Sequence, residues 1–527
     1  MIENFTETER ALLVPRFSNL DSPVFAIRNL PETVKGAMFA RYSRYGGTLR
    51  RLYLDEFAGE LEASGAVDDG ESARAAQLYE RIFVGYGDDS VAQLGGAHVA
   101  CEWVSNILTK ILQRPRLGSY LEQSTRYIAY DAPMPGGGYR YYRDPELGER
   151  YEHAMDELFG IYSASLPVVC GWAREMFPAA PDEAPGAHER AVQAKALDLL
   201  RGLLPSASLS HMGIYASGQT YEALILHLLA HPLPEARRYG RMIFEAVQSI
   251  IPSFVARVER PERGGEWIGY LERREQAGRR WAERLGLGEA DERESGPGVR
   301  LLRVEGDEDA LIAALLFEGG AASEARALAA ARQLDAATRA ELLLELIGLR
   351  SNRRHRPGRG FEALRYRFEI VSDYGAFRDL QRHRMLTVQW QTLTPELGAG
   401  VPAEIDEAGC GDEYRRALEL SRAAYETLRE RGLGRAAPYA LCLGYRIRYV
   451  LDLNAREAMQ LIELRSGREG HPSYRAVAHE MHSQITAVHP AVGAAMTHVD
   501  RHVEPRLERI LSEIRSERKR GARAARA

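Results

Sequence analysis

Arg114–Tyr127 reads RPRLGSYLEQSTRY, and Arg382–Pro395 reads RHRMLTVQWQTLTP. The two stretches have equal length and both open R-x-R. Ser119 falls against Thr387, and Ser124 against Thr392. The first stretch is dense in groups that bind phosphate and the edge of a base. Arg114, Arg116 and Arg126 supply planar guanidinium forks that pair bidentately with phosphate. Ser119, Ser124 and Thr125 supply hydroxyls, and Glu122 can accept from a ribose hydroxyl or a ring N–H. A solvated polar loop could share this composition. Arginine by itself decides little here, because the 69 basic residues include only four lysines, Lys35, Lys110, Lys195 and Lys519. The order of the whole stretch, and its recurrence, carry the reading.

Working outward, each stretch sits in a comparable series of elements. Helical spacing of apolar residues starts near Glu32 and is interrupted at Gly46-Gly47. A second helix is expected over Ala73–Val84. HVACEWV reads as a strand leading into a helix over Asn106–Gln113. Beyond the first stretch, APMPGGGYRYYRD is loop by its Pro and Gly content. Helices are expected near Pro145–Leu166, Glu189–Leu204, Tyr221–Ala230 and Pro234–Val258. In the second half, VRLLRVEGDEDALIAALLF reads as strand then helix, and FEALRYRFEIVSDYG alternates as a strand. Helices are expected at Glu413–Arg431, Pro438–Val450, Ala455–Leu464 and Tyr474–Val488. The halves match in order, which is an internal repeat of roughly 250 residues, far longer than a solenoid period. The expected organisation is a first domain over 1–260, a charged, Gly-rich connector over 261–299, a second domain over 300–515 and a basic tail over 516–527.

Length and composition, 527 residues with 45% hydrophobic and 27% charged, allow more than one domain with sizeable cores. The net charge of −5 gives no global basic field for nucleic acid. An RNA-binding reading rests only on the Arg-rich loops and the tail. Cys101, Cys170, Cys410 and Cys442 are scattered, without C-x-x-C spacing, as in reduced thiols of a cytoplasmic protein. The N-terminal MIENFTETER carries acids and no apolar core, so no signal peptide is read there. Apolar runs such as Ala223–Ala230 are too short to span a membrane. His479 and His482 stand at i, i+3 without a further ligand at metal spacing, so no metal site is assigned.

The paired stretches resemble the signature of flavin-dependent thymidylate synthases: R-H-R, two residues, Ser, one residue, Asn, two residues, Ser, one residue, Arg-Tyr. The first copy keeps Arg114, Arg116, Ser119, Ser124, Arg126 and Tyr127, with Pro115 in place of His and Leu121 in place of Asn. The second keeps Arg382-His383-Arg384, with Thr387, Gln389 and Thr392 for Ser, Asn and Ser, and Thr394-Pro395 for Arg-Tyr. The resemblance implies an α+β fold of two tandem synthase-like domains, each a mixed sheet with packed helices, docked as an internal pseudo-dimer. Two chains would then make a four-domain homodimer.

The family builds its site between neighbouring subunits, and each half of this chain resembles one side of it. In the first half, Glu122, Gln123, Ser124, Thr125 and Arg126 match the nucleotide loop, and Arg201 matches an arginine before Leu-Pro. Ser43 matches a flavin-contacting Ser. In the second half, Arg382, His383, Arg384, Asn454 and Arg456 match flavin-binding positions, and Gln460 stands for a flavin-contacting Asn. Arg382 and Arg465 match substrate contacts, and the resemblance implies that Arg465 is the catalytic arginine that favours the N3-deprotonated uracil. The complementary positions are lost: Ser217-Gly218-Gln219 stands for Asn-x-Arg, Leu228 for the later arginine, and Tyr439 or its neighbours for the arginine before Leu-Pro. A flavin-facing His is replaced by Leu94 and Ala363, and a nucleotide-contacting Gln by Asp379. One composite site is therefore expected. The implied activity is conversion of dUMP to dTMP with FAD, NADPH and 5,10-methylenetetrahydrofolate. The alternative is a nucleotide- or flavin-binding paralogue without turnover.

Overall fold

A computed structural model describes residues 3–42, 45–59, 91–134, 137–179, 185–288 and 296–502. Ser43, the helix expected over Ala73–Val84 and the basic tail lie outside the described residues. The chain forms two compact units. The first comprises Met1–Val104, Leu108–Gln123 and Ser210–Gly288; the second comprises Ser105–Ile107, Ser124–Leu209 and Glu289–Ala527.

The first unit holds a three-stranded sheet of β1 (Gly96–Ser105), β2 (Gly118–Glu122) and β3 (Leu209–Ser217), in the order β1-β3-β2. The second holds β4 (Gly298–Glu305), β5 (Arg365–Asp373), β6 (Leu386–Trp390) and β7 (Arg446–Asn454), in the order β4-β5-β7-β6. Taken in chain order, β1, β2 and β3 correspond to β5, β6 and β7, with the same spatial order and with β4 as an added edge. β2–β3, β4–β5, β5–β7 and β6–β7 all pair antiparallel, where mixed sheets were expected. Each signature stretch thus contributes a short strand rather than loop alone.

One expected helix is a strand. Pro438–Val450 contains a 3-10 turn, Ala437–Ala440, followed by the start of β7. In RIRYVLDLN the buried Ile447, Tyr449 and Leu451 alternate with half-buried Arg446, Arg448 and Val450, a period of two. β7 is central, flanked by β5 and β6, so both edges of its backbone are satisfied. Elsewhere the expected helices form with shifted ends. Glu149–Met176 runs through Pro167, and the connector carries the helix Glu266–Arg284.

Within the second unit the two repeats pack directly. Tyr151, Met155, Leu158 and Tyr162 line the buried face of Glu149–Met176, at helical spacing. That helix contacts Gly411–Glu430, which buries Tyr414, Ala417, Leu418 and Tyr425. Burying a large side chain fully is worth about 1.5–3 kcal/mol. Ser206 N donates to Leu441 O at 2.7 Å, and Leu443 N to Leu204 O at 2.9 Å. The bridge between Pro205 and Cys442 is antiparallel. A separation of 237 residues relates Pro205 to Cys442, just as it relates Ser217 to Asn454, so the bridge joins equivalent positions of the two repeats. That self-complementary pairing is the mark of a twofold relation. Gly202 permits the close approach: a Cβ there would lie 2.0 Å from the Tyr414 hydroxyl. Gly202 follows Arg201, so this tight contact fixes where that arginine stands.

Candidate active site

The candidate site lies wholly in the second unit and draws on both repeats. Ser124 opens a turn after β2: its carbonyl accepts from Tyr127 N and Ile128 N, and its hydroxyl accepts from Arg126 N at 3.2 Å. Arg126 is buried, and its fork closes on Asp198, with Nε and Nη2 each 2.5 Å from a carboxylate oxygen. Its Nη1 donates to the Tyr474 hydroxyl at 3.1 Å. Burial alone would raise the Asp198 carboxyl; Arg126 beside it more than offsets this and holds it below the ordinary carboxylate range. Thr125 is buried and its hydroxyl accepts from Arg378 at 3.5 Å.

Arg201 is 3% exposed. Its Nη1 lies 3.2 Å from Asp379 Oδ2, and its Nη2 lies 3.7 Å from Asp373 Oδ1 without a hydrogen-bond partner. Asp373 caps the helix Tyr374–Leu380 by accepting from Ala376 N at 2.8 Å, and it accepts from the Ser473 hydroxyl. Burial pushes its carboxyl up. Asp379 goes the other way. Burial opposes its charge, but Arg382, Arg201, Arg465 and Arg126 together hold it far below the usual range. Two of those arginines come from each repeat.

His383 is buried between Glu457 and Arg465. Arg465 Nε donates to His383 Nε2 at 3.1 Å, which leaves Nδ1–H to donate to Glu457 Oε1 at 3.0 Å. Burial lowers the His383 pKa, against the pull of Glu457. Glu457 is fixed in turn by Asn454, which caps the helix Ala455–Arg465 by accepting from Glu457 N at 2.9 Å. Arg465 lies 5.5 Å from the Tyr474 ring centroid and Arg126 5.9 Å, so one phenol bridges an arginine of each repeat. The first repeat has Pro115, Thr220 and Leu228 at the positions of His383, Glu457 and Arg465, and these cannot form the chain.

A cleft of about 320 Å³ is lined by Arg126, Asp198, Arg201, Asp373, His471 and Ser473, with the Lys195–Glu404 pair (3.2 Å) at its wall. His471 accepts from Ser473 N through Nδ1 and donates from Nε2 to Asp198 O at 3.1 Å.

Other expected site residues have surroundings of their own. Glu122 belongs to the first unit, where its side chain is 1% exposed and paired with Lys110 at 2.8 Å, and it also accepts from Gln113 at 3.1 Å. Gln123 ties its backbone to His211 O and the Ser210 hydroxyl. Arg456 donates to Pro357 O at 3.0 Å and faces Glu362. Arg382 is exposed, and Arg384 and Gln460 are half-buried. Sequence reasoning missed Asp198, Glu457 and Tyr474, and left His471 without a role.

A family model described as thymidylate synthase complementing protein matches residues 47–253 and 304–491. A UPF0159 protein of Chlamydia muridarum is 37% identical, covering 97% of this chain and 98% of its own. The chain belongs to the thymidylate synthase complementing protein family. A UPF0159 protein of Thermoplasma acidophilum is 30% identical, with 92% of this chain and 99% of its own covered. Among solved structures, a UMP/dUMP methylase from Streptomyces cacaoi bound with 5-Br dUMP is 20% identical at a TM-score of 0.31. It covers 38% of this chain and 95% of its own. The two matched segments of the family model correspond to the two repeats. Among the described residues no His, Cys, Asp or Glu cluster could hold a metal ion, and no helix is long and apolar enough to cross a membrane.

This family member should be sensitive to acid through its candidate site. Burial first, then Arg201, lowers His471 to about 3 from an unfolded value of 6.5. As pH falls through 6.5 the unfolded chain takes a proton that the folded chain refuses. The stabilisation is complete above pH 6.5 and is lost on the way down to 3, at about 1.4 kcal/mol per pH unit. His383 is shifted in the same direction. Thermal unfolding should therefore show a lower Tm at pH 5 than at pH 7. His471→Asn, which keeps an acceptor for Ser473 N, should flatten that dependence; an unchanged slope would remove His471 from the account.

Proposed function

We propose that the chain methylates dUMP to dTMP in a flavin-dependent reaction, at one composite site per chain. FAD is the bound cofactor, and NADPH and 5,10-methylenetetrahydrofolate are co-substrates. The observation that carries this reading is the meeting of the two repeats at these arginines: Arg126 of one and Arg465 of the other face the Tyr474 ring, and Arg201 of one pairs with Asp379 of the other. Arg126 and Arg201 line the cleft and suit an anionic substrate. Arg126 and Arg201 hold the phosphate. Arg465, oriented by His383, stands against the uracil and stabilises its N3-deprotonated form, which makes C5 the nucleophile without help from a Ser or Cys. Family membership supports the same chemistry.

Three of the expected cofactor-binding residues have internal duties: His383 through both ring nitrogens, Asn454 as a cap, and Arg456 on Pro357 O. Exposed Arg382 and half-buried Arg384 fit a diphosphate, with the other three serving as the frame behind them. When bound, the flavin supplies hydride transfer. The internal engagement of those three residues also favours a second reading, a nucleotide- or flavin-binding paralogue without turnover. Cytoplasmic location and assembly as a homodimer belong to the same proposal.

The purified chain is expected to show a flavin absorption band and NADPH oxidation stimulated by dUMP. Flavin without dUMP-stimulated oxidation would select the second reading. Absence of both flavin and dUMP binding would reject both.

A further inference from the structure

The arginine cluster is already matched by carboxylates. Arg126 is closed on Asp198, and Arg201 reaches Asp379 at 3.2 Å while its second terminal nitrogen, 3.7 Å from Asp373, makes no hydrogen bond. Asp379 belongs to the helix Tyr374–Leu380, three residues before Arg382. A separation of 268 residues relates Arg114 to Arg382 and Ile111 to Asp379, so the equivalent residue of the first repeat carries no charge. Packing of the repeated helix therefore does not require a carboxylate at this place. Only the cations of the composite site give it a reason.

We propose that Asp379 is an internal anion that holds Arg201 while the cleft is empty and competes with the phosphate of an entering nucleotide for that guanidinium. The inference rests on the nucleotide reading of the site and specifies its charge selectivity. A ligand's phosphate meets a nearby like charge as well as the arginines, and each added phosphate meets it more strongly. The site is set for a nucleoside monophosphate over the di- and triphosphate.

The test compares native protein with Asp379→Asn, titrating inorganic pyrophosphate, dUMP and 2′-deoxyuridine by calorimetry. The variant should bind pyrophosphate and dUMP about tenfold tighter and deoxyuridine unchanged, because one like charge has been removed from beside the phosphate. A folded variant that binds pyrophosphate equally or more weakly overturns the proposal; Asp379 would then serve to order the arginines. Should Asp379→Asn not fold, Asp379→Gln repeats the test, and the native chain supplies an independent one. Native dUMP bound more tightly than dUDP supports the proposal, and dUDP bound as tightly or more tightly overturns it. A gain in pyrophosphate affinity with no binding of dUMP or deoxyuridine would reject the uracil reading while leaving this inference standing.

Discussion

Replacing Arg126 by alanine should destabilise the fold and abolish dUMP binding together. The guanidinium is buried, clamps both oxygens of Asp198 and donates to Tyr474. Its removal leaves Asp198 charged and unpaired at the wall of the cleft. Losing one partner of a buried pair costs about 3–5 kcal/mol. Binding should weaken by at least about a hundredfold, since a charge-assisted contact is lost and its neighbours relax. Arg126→Ala combined with Asp198→Asn separates the two effects. Neutralising the orphaned carboxylate should restore most of the stability and none of the affinity. Chemical denaturation and calorimetry on the single and double variants measure both. Native-like affinity in a folded Arg126→Ala chain would remove this arginine from the site.

The second large effect is kinetic. His383→Leu takes away the acceptor that orients Arg465 and the donor that satisfies Glu457. Arg465 is then free to leave the uracil edge, and Glu457 is left buried with an unmet acceptor, which costs about 1–3 kcal/mol of stability. Under the proposed reaction kcat should fall about a hundredfold, as expected for losing a transition-state interaction of about 2.7 kcal/mol, with KM for dUMP much less affected. Glu457→Gln keeps an acceptor for Nδ1–H, so it should retain most of the activity. Equal losses in kcat for His383→Leu and Glu457→Gln would mean that the carboxylate charge, rather than the orientation of Arg465, is what matters.

These residues also show what the sequence could and could not disclose. Amphipathic helices such as Glu32–Tyr42 and Ala455–Arg465 were legible because their apolar spacing is local. β7 was not, because PYALCLGYRIRYVLDLN is nearly continuous apolar text whose arginines suit a helix surface as well as a half-buried strand. Its period of two is resolved only by β5 and β6 on either side. Arg126, Arg201 and Arg465 were found from motif positions. Asp379 was placed by motif position as well, as a substitute for a nucleotide contact; Asp198 and Tyr474, the partners of Arg126, lie 72 and 348 residues away and leave no short-range pattern. Asn454 was read as a cofactor contact, yet Asn454 followed three residues on by Glu457 is a helix-start signal that could have been read from the text. The complementary damage to the two signatures was fully visible. Its physical sense, that Glu457–His383–Arg465 exists once and has no counterpart in Thr220, Pro115 and Leu228, required the coordinates.

The claim beneath all of this is that Arg126 from one repeat and Arg465 from the other serve a single site. Calorimetric titration of dUMP into the native chain, Arg126→Ala and Arg465→Ala tests it most directly. The account predicts one nucleotide per native chain and none in either variant. Two nucleotides per native chain, with each variant keeping one, would contradict it.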